Sequence, residues 1–337
     1  MSVETIVRHL AAMGTALSLS VSAPTRKEAL FASEAGVREI ERIEALLSTW
    51  RDDTPLARLN AAAPGVPHEI PAQLFHLLRR VFEWEESTGG AFNPAVGPLV
   101  RAWGLHTGGR IPDATALDQA REASRPGLFT FEESSLRVTR WSPAAGIDEG
   151  AWGKGWALDK AAAAMREAGA VSGLLDLGGQ ILAFGEEALV DIADPVERGR
   201  TIATLHLQDA SASTSGNSER GVVVGGRRIG HLLDPRTGEP ADDFGSVTVV
   251  APTGLVADVL STAFFVLGPS HALVLSNRLR AGGLAHEALF LSEGEEGQAL
   301  RVSMTPGMRT LIESDAGSGQ FAVPSSLSKK SPTDARP

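Results

Sequence analysis

Apolar positions along the chain follow two periods. Residues 14–22 alternate loosely and are rich in Leu, Val and Ser, which predicts an early strand. Over residues 25–48, Val37, Ile40, Ile43 and Leu47 trace one face of a helix. A second helix is expected after Pro71, because Leu74, Leu77, Leu78, Val81 and Trp84 recur at helical spacing, and Gly89-Gly90 ends it. Residues 155–168 form an alanine-rich helix that Gly169 stops. Residues 172–184 read as a strand broken at Gly178-Gly179, and residues 246–251 as another. Residues 221–233 read as a hairpin around Gly225-Gly226, where positive φ meets no steric bar. Residues 255–267 are a strongly apolar helix.

Strands and helices are interleaved, and the hairpins are long, so the predicted class is α+β rather than a doubly wound sheet. From residue 316 the chain turns to Gly, Ser, Pro and Lys with few large apolar residues. Residues 1–315 are therefore expected to form the folded domain, and residues 316–337 a disordered tail.

Composition narrows the function. A chain of 337 residues that is 43% hydrophobic and 21% charged can bury a sizeable core. A net charge of -10 argues against nucleic-acid binding and against an electrostatic membrane anchor. With no cysteine, disulfides, thiolate metal sites, thiol nucleophiles and a lipobox cysteine are excluded. Residues 1–12 lack a basic stretch followed by an apolar core, and no run of 18 apolar residues occurs, so a cytoplasmic location without a signal peptide or membrane anchor is expected.

Three segments carry candidate chemistry. On a helix, Ser261 and Thr262 fall three and four residues after Asp258, so a carboxylate and two hydroxyls share an apolar helix. A buried carboxylate needs a partner charge, and Mg²⁺ suits so sparse an oxygen set; polar side chains bonded to the helix backbone fit the same stretch equally well. His231 precedes an Asp234-Pro235-Arg236-Thr237-Gly238 turn, where a strand end can aim an imidazole at a pocket. A tight turn with a surface histidine is the plainer reading of that stretch. Asp148-Glu149-Gly150-Ala151-Trp152-Gly153-Lys154-Gly155 offers backbone N–H groups and a cation at a helix start, as an anion site would and as many ordinary helix starts do.

Taken in order, the motifs resemble the FAD:protein FMN transferases, the ApbE-type flavin transferase family. The resemblance spans residues 13–262. It runs through Met13-Gly14-Thr15, Leu47-Ser48-Thr49-Trp50, Leu59-Asn60 and Gly90-Ala91-Phe92-Asn93-Pro94 with Gly97-Pro98-Leu99-Val100. It continues through residues 148–159, Leu177-Gly178-Gly179, Thr214-Ser215-Gly216, residues 231–238 and residues 258–262. It implies a T-fold-like fold of mixed sheets and helices with a cleft for FAD between lobes. It implies a Mg²⁺-dependent reaction that cleaves FAD and joins FMN through a phosphoester to a Thr or Ser hydroxyl of an acceptor flavoprotein, releasing AMP. By position, Asp258 and Thr262, with Ser261, match the side-chain ligands of Mg²⁺, and the Ala151 carbonyl a main-chain ligand. Met13, Trp50, Ala91, Phe92, Asn93, Asp148, Lys154 and Leu232 match FAD-lining positions, and His231 matches the histidine that assists transfer. FAD hydrolysis to FMN and AMP would use the same site, and a non-catalytic FAD-binding relative would keep the fold. Three residues depart from the family pattern: Asn93 for aspartate, Trp50 for tyrosine, and Glu149 for an apolar residue.

Overall fold

A computed structural model describes residues 3–197, 199–217, 221–224, 226–293 and 300–314; the tail expected over residues 316–337 and Gly225 of the expected turn lie outside them. The chain opens with the hairpin β1 (Glu4–Ala12) and β2 (Thr15–Ala23), then α1 (Arg26–Leu47), α2 (Pro55–Ala61), β3 (Pro67–Glu69) and α3 (Ala72–Ser87). Next come α4 (Gly97–Ala102), α5 (Ala114–Glu122), β4 (Phe129–Glu132), β5 (Arg137–Arg140) and α6 (Gly153–Glu167). Strands β6 (Ser172–Leu177), β7 (Gln180–Phe184), β8 (Ala188–Ala193), β9 (Thr201–Leu207) and β10 (Ala210–Gly216) follow. Then come β11 (Gly221–Val224), β12 (Arg227–Gly230), β13 (Gly245–Ala251), α7 (Gly254–Ala281), β14 (Glu287–Ser292), β15 (Arg301–Met304) and β16 (Ile312–Ser314).

The main sheet has eight strands in the order β1-β2-β6-β7-β10-β13-β14-β15. Every pairing in it is antiparallel, and the sheet is open, with β1 and β15 at its edges. Among the described residues there is no closed barrel, and the class is α+β as the sequence predicts. Alternation along the strands assigns the two faces. Val247 and Val249 of β13 pack with α7, whereas Val250, the next residue along, packs into the layer formed by β16-β9-β8.

Two cores meet at α7. One gathers β2, α1, α3 and α6, including Leu19, Ile43, Phe75 and Leu158; the other gathers β13 and β14. Leu255 and Val259 of α7 belong to the first, and Ala257, Leu260 and Phe264 to the second, so this helix joins the two lobes. It is long and apolar enough to cross a membrane by composition alone, yet 56% of its most apolar window is buried inside the protein. A kink at Gly268 (φ 69°), next to Pro269, interrupts it beyond the site.

Helices α1, α3 and α6 appear close to their expected ends, whereas α7, expected over residues 255–267, continues across the Gly268 kink to Ala281. Thr25 caps α1 by accepting the Glu28 N–H, and α3 stops ahead of Gly89 and Gly90, both at positive φ. The β11–β12 hairpin forms, but its second strand ends at Gly230, so His231 leaves it in a bend that ends at the Leu233–Pro240 bridge.

Candidate functional site

A cleft of about 1060 Å³ opens between the lobes. It runs from the Met13-Gly14 turn past the first turns of α6 and α7, and reaches Asp191 and Thr214 on the strands behind. Its volume is at the upper end of the roughly 300–1,000 Å³ usual for small-molecule sites.

Beside the cleft the starts of two helices are in contact. Gly155 of α6 and Gly254 of α7 approach so closely that a Cβ on Gly155 would lie 2.1 Å from the Gly254 carbonyl oxygen. Only glycine at both positions allows this. Asp159, one turn along α6, accepts the N–H groups of Gly254 and Leu255 at 2.6 and 3.0 Å and so caps α7 from its neighbour. Burial nonetheless holds its carboxyl above the usual range. Asp258, 4% exposed, returns the connection: its Oδ2 accepts the Gly155 N–H at 3.0 Å, and its Oδ1 faces Lys154 Nζ at 3.6 Å.

That exchange bears on a cation. The Gly155 N–H goes to Asp258 rather than back to the Ala151 carbonyl four residues before it. Ala151, Asp258 and half-buried Thr262 all line the cleft. One carboxylate, one carbonyl and one hydroxyl form a hard-oxygen set of the kind Mg²⁺ takes while keeping places for phosphate and water. No group of three or more His, Cys, Asp or Glu suited to a metal occurs among the described residues.

Ser261 is turned elsewhere. Its fully buried hydroxyl accepts from Ser215 Oγ and lies 3.0 Å from Ser213 Oγ and from the Asp258 carbonyl, either of which can take its proton. Successive helical residues point about 100° apart, so Thr262 can face the cleft only while Ser261 faces β10.

The loop before α6 is pinned along its length. Asn60 pairs its amide with both backbone groups of Ile147 at 2.8 Å, and Arg140 donates to the carbonyls of Ser142, Pro143 and Ala145. Asp148 accepts the Gly150 N–H at 2.9 Å, and its carbonyl accepts the Trp152 indole N–H at 2.8 Å. Glu149 accepts the N–H and O–H of Thr49 at 3.0 and 2.8 Å. Burial, reinforced by Asp148, still pushes its carboxyl up to about 7.

The remaining predicted residues also line the cleft. Met13 sits at the tip of the β1–β2 hairpin with φ 49°, a left-handed conformation rare outside glycine. Ala91 and Phe92 are 1% exposed, and Thr88 Oγ1 holds the Phe92 N–H at 3.1 Å. Asn93 Nδ2 donates to the Ser124 carbonyl at 2.6 Å, and its Oδ1 accepts the Ala95 N–H at 2.7 Å. The first bond needs a donor that an aspartate lacks, which accounts for asparagine here. His231 and Leu232 contribute the wall beyond β12. The following turn closes as predicted, with Asp234 accepting from the backbone and guanidinium of Arg236 and Gly238 at φ 79°.

Gly178-Gly179 serves two needs. A Cβ on Gly178 would lie 2.3 Å from Thr15 Oγ1, whereas Gly179 (φ 85°) has open space where a side chain would stand.

Sequence reading passed over His106, which lies on the cleft and stacks on Trp50 with centroids 4.3 Å apart. Its loop has no periodicity to flag it. Asp159 carried a usable signal, as a carboxylate inside an alanine-rich helix.

The ApbE family model matches residues 13–285. The chain belongs to the ApbE family. It is 36% identical over 254 residues to a FAD:protein FMN transferase of Treponema pallidum, covering 68% of this chain and 69% of that one. To a Salmonella typhimurium protein of the same name it is 28% identical over 319 residues, covering 90% and 88%. The ApbE protein of Thermotoga maritima shares its fold with a TM-score of 0.81 at 26% identity, over 91% of this chain and 99% of that one. The apo form of the Pseudomonas stutzeri flavinyl transferase ApbE gives 0.77 at 25% identity, over 92% and 96%. These ApbE likenesses extend across both lobes and the cleft between them.

Proposed function

We propose that this member of the ApbE family is a Mg²⁺-dependent FAD:protein FMN transferase. The observation that carries this reading is the buried Asp258 carboxylate 3.6 Å from Lys154 in a long cleft that Ala151 and Thr262 also line. Bound Mg²⁺ supplies charge neutralisation on the diphosphate of FAD and so favours departure of AMP. Asp258 and Thr262 hold the cation from adjoining turns of α7, and the Ala151 carbonyl holds it from the loop. Lys154, 3.6 Å from Asp258, is close enough to move its ammonium onto a phosphate oxygen. Trp50 stacks on an aromatic ring, and Met13, Phe92 and Leu232 enclose the dinucleotide. Gly179 admits it close to the backbone.

The acceptor is a protein with an exposed Thr or Ser. Its hydroxyl oxygen bonds to the FMN-side phosphorus as the bond from that phosphorus to the AMP oxygen breaks. His231 accepts the hydroxyl proton as general base. Incubating the protein with FAD, Mg²⁺ and a candidate acceptor tests this. Covalently bound FMN on the acceptor, with AMP released in equal amount, is the expected result. AMP formed while the acceptor stays unlabelled would replace transfer with hydrolysis.

A further inference from the structure

Trp50 is 68% exposed on the cleft rim, in a segment outside any helix or strand. An indole in such a place ordinarily samples several rotamers. Here two neighbouring residues oppose that from the opposite loop. Glu149 Oε1 and Oε2 accept the N–H and O–H of Thr49, so one carboxylate grips the residue directly before Trp50 once through its backbone and once through its side chain. Asp148 Oδ2 lies 3.8 Å from His106 Nε2, and the His106 ring stacks on the indole at an interplanar angle of 25°. Residue 149 thus holds the tryptophan's neighbour Thr49, and residue 148 stands beside the His106 ring that stacks on the indole. The same short loop continues into Ala151 and Lys154.

We propose that Glu149, Thr49 and His106 are positioning residues: they form a latch that presets the Trp50 indole as a stacking plate for one aromatic ring of the dinucleotide. This rests on the cleft taking a dinucleotide, as proposed above. Because both arms start from the loop that bears Ala151 and Lys154, the plate stands at a fixed distance from the phosphate end. A preset plate spares the ordering cost that a mobile side chain adds to binding. It also gives Glu149, out of place in the family pattern, a definite task.

Trp50 labelled with 5-fluorotryptophan gives a fluorine NMR line that Trp50→Phe identifies and that His106→Ala shifts to its unstacked position. Glu149→Ala and Thr49→Val are expected to move the wild-type line toward that position. Glu149→Gln, whose amide can accept the N–H and donate to the hydroxyl, is expected to leave it in place. FAD affinity should fall about three- to tenfold in Glu149→Ala. The same change should have no effect when Trp50→Ala is already present. A line unmoved in both Glu149→Ala and Thr49→Val, or an equal affinity loss with and without the indole, would overturn the latch. Failure of the wild type to bind FAD would defeat the dinucleotide reading, and with it the plate's role, while the fluorine line would still decide whether the latch exists.

Discussion

Asp258 Oδ2 accepts the backbone N–H of Gly155 at 3.0 Å, a bond that fixes the first turn of α6 against the buried carboxylate of α7. Through it the start of α6, with Lys154 3.6 Å from Asp258, lies against α7, although the two segments are distant in sequence. The site is in this sense a property of the helix contact.

The contact has a stability consequence. Gly155→Ala would put a methyl carbon 2.1 Å from a backbone oxygen and 2.9 Å from Asp258 Cβ, so the helices must separate. The expected cost is about 2–4 kcal/mol, read as a lower urea midpoint, with loss of Mg²⁺-dependent turnover. An unchanged midpoint would mean the helices can part without penalty.

His231 lines the cleft, and the proposed function gives it the task of taking a proton. His231→Ala should slow transfer about 100-fold or more while changing the Kd for FAD less than threefold. Single-turnover transfer and equilibrium binding measure the two separately. A large loss of binding would make His231 a ligand contact instead.

Glu85 supplies a pH prediction independent of catalysis. Burial alone raises its carboxyl to about 7 from an ordinary 4.5. A folded-state value above the unfolded one means that the fold favours the protonated acid. Stability from this group is therefore full below about 4.5 and is lost as pH rises through about 7. Glu85→Gln should stabilise the protein at pH 8 by roughly 1 kcal/mol, allowing for screening by solvent, and leave it nearly unchanged at pH 4.5. Urea unfolding at the two pH values measures the difference; equal effects at both would remove the assignment.

Much of this was legible in the sequence, for identifiable reasons. The apolar stripe of Ile40, Ile43 and Leu47 and the stops at Gly89-Gly90 and Gly169 locate α1, α3 and α6, because burial and capping act locally. Asp258 was visible as a charge inside an apolar helix. By contrast, β1 is exposed along most of its length as a sheet edge, so no alternation marks it. Ser261 shared a helix with Asp258 by spacing, yet the serines of β10 engage its hydroxyl, which only the tertiary fold decides. The Trp50–His106 stack depends in the same way on two loops meeting.

The central claim is that a divalent cation on Asp258 and Thr262 meets the diphosphate of FAD. Titrating FAD by calorimetry into wild type and Asp258→Asn, each with and without Mg²⁺, tests it most directly. Mg²⁺ should tighten FAD binding at least tenfold in the wild type and have little effect in the variant, where the amide keeps the shape of the side chain without its charge. Equal tightening in both proteins, or none in either, would contradict it.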